Sequence, residues 1–245
     1  MYDPPAYLWA TIIAGPAAVA ALTCVVLYGG AVRSGLGLGR AVLLAGAAAV
    51  VLGGWITASA VIAGHGWYRT LPWFPLAVTG YLGLLLALRR IPVVARALAA
   101  PGMLSRLELP HTPRVAGVAF LLYLALGHLP ALFAVPAGVG DIAAGIAAPL
   151  VARRLAQGTG RRAALWFNAF GMTDLIVAVA LGALTGFQLL SITPSSAPIT
   201  ELPLALIPTA TVPLLFALHI SAVSALARVA RTARPATAPL TATAK

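Results

Sequence analysis

Residues 136–152 read PAGVGDIAAGIAAPLVA and residues 167–186 read FNAFGMTDLIVAVALGALTG, and each run sets one carboxylate, Asp141 or Asp174, in a stretch apolar enough to cross a bilayer. An ionisable group in hydrocarbon costs roughly several kcal/mol unless it faces protein, water or an opposite charge, so such residues mark working sites. His128 and His219 lie in similar surroundings. Working outward from these four residues defines both the class of the chain and its candidate site.

The chain is 61% hydrophobic and 9% charged, with a mean hydropathy of +0.97, whereas a soluble domain carries about 25% charged residues. It is therefore an all-α, polytopic membrane protein by composition. Apolar runs of about 17–25 residues suffice to span a bilayer, and seven occur, near residues 7–29, 41–64, 71–88, 115–134, 136–152, 163–186 and 204–227. The expected organisation is one seven-helix transmembrane domain over 1–228 and a basic cytoplasmic tail over 229–245, too poor in large apolar residues to pack.

A formal charge of +11 suggests nucleic acid only until the charges are placed. With seven spans, fifteen of the sixteen basic residues, Arg114 among them, fall on one side and only Arg69 on the other. The positive-inside rule then puts the N-terminus outside and the C-terminus in the cytoplasm. The arginines read as orientation signals and contacts to anionic lipid rather than as a nucleic-acid face. MYDPPAY has no basic n-region, so the first span is expected to persist rather than be cleaved. The Ala, Gly, Pro and Arg bias points to a bacterial cytoplasmic membrane, with the lipid bilayer as partner and a homo-oligomer or partner subunit as a further expectation. Cys24 is the only cysteine, which excludes an internal disulfide.

Several local features carry structural expectations. Ala45, Ala49, Gly53 and Thr57 form a small-residue stripe suited to close packing in the bundle or at a dimer contact. Pro208 and Pro213 predict a kinked or locally open seventh helix, with Thr209 and Thr211 near the freed carbonyls. Residues 91–109 read as an interfacial segment with Leu104, Leu107 and Leu109 in lipid. The 187–203 connection reads as a flexible loop or a cap over an external cavity. His111 reads as a cytoplasmic loop residue and His65 as an interface residue.

Counting helical rise from the nearest arginine puts Asp141 and Asp174 each about 18 Å above the inner boundary, His128 about 21 Å and His219 about 13–14 Å. Ala137, Gly138, Ala144 and Gly145 flank Asp141 and make room for close helix contact. Asn168 extends the polar path toward the cytoplasm as an interhelical hydrogen bond. The substrate- or ion-binding set is thus His128, Asp141, Asp174, His219 and Asn168.

Four chemistries suit that set: proton- or cation-coupled transport of a small solute; metal-dependent intramembrane hydrolysis; haem held by His128 and His219; and a scaffold that specifies packing alone. The sequence identifies no cofactor and no metal. A retinal protein is excluded because the only lysine is Lys245, and there is neither a phosphate-binding G-x-x-x-x-G-K-[ST] loop nor a G-x-S-x-G elbow.

Overall fold

The computed structural model describes residues 4–232, and all of its regular elements are helical. Residues 229–232, expected to open the tail, continue the last helix to Thr232; the rest of the expected tail lies outside the described residues. Helices α1 (Ala6–Arg33) and α2 (Leu38–Gly64) form a hairpin turned at Gly35 and Gly37, both with positive φ. Helix α3 (Trp73–Leu88) breaks at residues 89–91 and turns by 85° into the short α4 (Pro92–Leu98). Pro92 causes the break, because it removes a backbone donor and excludes α geometry from the residue before it. Helix α4 packs on the end of α1, where only a glycine, Gly30, admits the Ala97 carbonyl.

Helices α7 (Ala131–Ala156) and α8 (Arg161–Gly186) form a second hairpin, and α9 (Val212–Thr232) runs through the middle of the bundle. Five helices are long and apolar enough to cross a bilayer, and a sixth if α3 and α4 count as one bent span. The arginines of 33–40, 89–106, 153–162 and 228–231 gather at one end of the bundle, called here the arginine-rich end.

The expected span 115–134 is not a continuous helix. The chain instead runs beside α7 in three pieces, α5 (Met103–Leu107), a 3-10 helix (Leu109–Gly117) and α6 (Val118–Ala125). Pro110 and Pro113 deny the middle piece regular i→i−4 bonding, and Gly127, with φ of 77°, ends α6. The Gly127 N–H donates to Leu124 O and the His128 N–H to Tyr123 O, the paired bonds of a Schellman cap. Leu107 is fully buried in the core rather than lipid-facing, because α5 is wedged between α7 and α9.

Three other expectations meet the structure here. Of the stripe, Ala45 is half-buried while Ala49, Gly53 and Thr57 point away from the bundle, and nothing lies within 4 Å of a Cβ placed at Gly53. Helix α2 uses its other face, with Leu52, Trp55 and Ser59 turned inward. The 187–206 connection folds over the bundle end as a cap: Ser196, Ile199 and Thr200 are buried, and Arg69 pairs with Glu201 at 3.0 Å.

The expected irregularity near Pro208 and Pro213 is a π-helical turn over Ile207–Thr211. Pro213 has no N–H to give the Thr209 carbonyl, and the Trp55 indole N–H donates to that oxygen at 2.8 Å. Trp55→Phe should therefore strand a buried acceptor and lower stability by about 1–3 kcal/mol. A thermal-unfolding shift in detergent checks this, with Trp9→Phe as the control at the periphery.

Candidate functional site: a buried arginine between two carboxylates

The centre of the site is Arg114, whose side chain is only 1% exposed. Its Nε donates to Asp141 Oδ1 at 2.7 Å, its Nη2 donates to Asp174 Oδ2, and its Nη1 faces His219 Nε2 at a long 3.5 Å. Asp141 comes from α7 and Asp174 from α8, so the one cation ties both helices of the hairpin to the 3-10 segment. The Asp141 and Asp174 side chains keep 14% and 9% exposure, against 1% for Arg114.

A second layer continues toward the arginine-rich end. His219 Nδ1 bonds Asn168 Oδ1 at 2.8 Å, and Asn168 Nδ2 donates to Glu108 Oε1 at 2.9 Å and to Ala164 O at 2.8 Å. Two acceptors around Nδ2 fix the amide orientation, so Oδ1 must accept and His219 Nδ1 must carry the proton. The remaining His219 nitrogen, Nε2, is then the lone-pair face presented to Arg114. Asn168→Leu should leave Glu108 and His219 without these bonds and cost about 1–3 kcal/mol. Asn168→Gln, which retains the amide, should cost less if repacking restores one bond; unfolding curves of the two variants compare them directly.

His111 is fully buried and stacks on His219, with centroids 3.9 Å apart. Among the described residues, neither of its ring nitrogens has a hydrogen-bond partner, nor does Glu108 Oε2. Glu108, His111 and His219 offer ligand atoms within 4.8 Å of one another. With histidines neutral and acids ionised, Arg114 supplies one positive charge against three negative ones from Glu108, Asp141 and Asp174. In that protonation state the cluster is short of two positive charges, which protons or a bound cation would supply.

Glycines set the approach. A Cβ on Gly140 would collide with Asp174, one on Gly171 with His219, and one on Gly117 with Asp141. A Cβ on Gly145 would meet Val115 N at 2.6 Å and Thr112 O at 3.0 Å. The small-residue face of α7 thus seats the backbone of the 3-10 helix rather than the flank of another long helix.

Two cavities of about 30 Å³ each touch Asp141, with Leu175, Ile207 and Val212 in the walls of both. One lies between α1 and the 3-10 helix, against Gly15, Pro16 and Pro113; the other runs toward the cap, against Phe120, Phe133 and Ile199. A water needs roughly 10–15 Å³, so each cavity admits a water or two, or a small ion, and no organic substrate.

The structure brings together Asp141, Asp174, His219 and Asn168 and leaves out His128. His128 caps α6 in the 126–130 connection, ten or more residues along the chain from Asp141; its depth was counted from Arg114, which is not at a boundary. It forms no axial pair with His219, whose two nitrogens face Asn168 and Arg114. Glu108, His111 and Arg114 were missed, and Arg114 and His111 are not loop residues. A signal for them exists: in ELPHTPRVAG, Glu108, His111, Arg114 and Gly117 are spaced by three, the repeat of a 3-10 helix, whose residues i and i+3 eclipse.

These features define a helical membrane protein built around a buried Glu/His/Arg/Asp cluster. The chain belongs to the family described as a domain of unknown function, DUF8737, which matches residues 71–227 and so contains every member of the cluster. No curated protein and no solved structure matches it.

Proposed function

We propose that the protein is a proton- or cation-linked transporter of the bacterial cytoplasmic membrane, in which Arg114 is a resident counter-ion competing with the passing cation for Asp141 and Asp174. The observation that carries this reading is Asp141, held by Arg114 yet bordering two water-sized cavities, one against α1 and one toward the cap. A carboxylate so placed can exchange its arginine partner for a proton or small ion from either cavity. The cavity size favours a proton or small cation as the species handled in this conformation.

The same reading takes the chain across the bilayer seven times, with the arginine-rich end cytoplasmic and the N-terminus outside. Segment 103–125 supplies the pass that no single helix does. At about 2.0 Å per 3-10 residue and 1.5 Å per α residue it extends about 37 Å, enough for a core of about 30 Å. Reporter fusions at residues 128 and 158 should fall on opposite sides.

Flux in liposomes carrying a pH-sensitive dye tests the activity. The wild type should dissipate an imposed proton or cation gradient, and Asp141→Asn and Asp174→Asn should each reduce the rate at least tenfold. Flux equal to that of protein-free liposomes overturns the proposal and leaves the cluster a packing device.

The unpartnered atoms of Glu108 and His111 favour one second reading, a divalent cation held by Glu108, His111 and His219. Such an ion would restore the two missing charges. It requires the stacked rings to splay, because imidazole lone pairs lie in the ring plane. Elemental analysis of the purified protein should find about one metal per chain, abolished by Glu108→Gln; none in the wild type assigns the missing charges to protons.

A further inference from the structure

Away from the cluster, two cavities of about 290 Å³ each adjoin at the arginine-rich end. One is lined by Arg89, Arg90, Ser221, Ser224 and Arg228 beside Ala95 and Leu98, with no acidic residue on its wall among the described residues. The other is almost wholly apolar and runs between α1, α2, α3 and α9, against residues such as Leu27, Ala48, Leu52 and Leu85. Arg89, Leu98 and Ser221 belong to both walls, so the two form a single seat with a cationic end and an oily end.

Like charges crowd the cationic end. Arg89 is acted on by the like charges of Arg90 and Arg228. Neither Arg89 nor Arg90 makes an ion pair among the described residues. The 85° turn into α4 holds this convergence open, because it carries the chain sideways instead of onward past α9. Guanidinium groups bind phosphate through paired N–H donors, and basic pockets beside membrane helices suit anionic headgroups.

We propose that this double cavity is a binding site for one anionic phospholipid, with its phosphate among Arg89, Arg90 and Arg228 and an acyl chain in the hollow between α1, α2, α3 and α9. The serines complement the arginines: Ser221 and Ser224 donate to Ala217 O and Ile220 O, leaving oxygen lone pairs toward a headgroup hydroxyl. Charge selects the head and shape selects the tail.

Native mass spectrometry of the full chain in detergent, titrated with phosphatidylglycerol, phosphatidylcholine or inorganic phosphate, tests the site. Phosphatidylglycerol should be retained as a one-to-one adduct and should raise the unfolding temperature, with phosphatidylcholine bound at least tenfold more weakly. Arg89→Gln with Arg90→Gln should erase that preference, and Ala48→Trp, which fills the oily end without changing charge, should weaken phosphatidylglycerol at least tenfold. Equal retention of the two lipids by the wild type overturns the proposal without any variant. Stabilisation by inorganic phosphate that matches phosphatidylglycerol and ignores Ala48→Trp also overturns it, in favour of a free-anion site.

Discussion

Arg114→Met should be the most damaging single substitution in the chain, lowering stability by about 3–5 kcal/mol, because it strands two buried carboxylates without their cation. The informative comparison is the triple variant Arg114→Met, Asp141→Asn, Asp174→Asn. Removing all three charges together leaves no uncompensated buried ion, so the triple should regain much of the loss, less what its two buried amides cost in unmade hydrogen bonds. Unfolding of the single and triple variants in the same detergent measures both. If the single variant unfolds like the wild type, the guanidinium is not the clamp between α7 and α8 that the geometry makes it. The triple also separates fold from activity: it should be folded and inactive in the liposome assay.

Gly145→Ala should damage stability and activity together, although it lies one turn from Asp141 and touches no charged group. Its methyl would have to displace backbone atoms of Thr112 and Val115, which flank Arg114, rather than a yielding side chain. Overpacking of this kind costs about 1–3 kcal/mol, and here the displaced element carries Glu108, His111 and Arg114. Stability and flux should therefore fall together. Gly53→Ala, at a position with open space around it, should change neither. Retention of full activity by Gly145→Ala would mean that the 3-10 segment is not held in register by α7.

What could be read in advance follows from which parts of the chain obey α-helical spacing. Asp141, Asp174, His219 and Asn168 sit on long regular helices, where counting residues from flanking arginines measures depth and the small neighbours of Asp141 reveal the face that receives another element. Arg114 defeated that approach because the positive-inside rule treats each arginine between apolar runs as a boundary marker, and this one is inside. His128 was then misplaced by being counted from it. The Trp55 bond to Thr209 O was foreseeable as a need, since Pro213 frees that carbonyl, but not as a particular donor, because no local pattern links residues 154 positions apart.

The threefold spacing of Glu108, His111, Arg114 and Gly117 also sets which mutations this family can accumulate. In a helix of three residues per turn, the exposed side chains between these positions, Leu109 and Val115, can vary, provided both prolines keep the backbone from tightening into ordinary α form. One residue inserted or deleted between 109 and 117 would rotate everything beyond it by about 120°, swinging the guanidinium off its carboxylates as surely as removing it. Relatives should accordingly differ here in spelling but not in length.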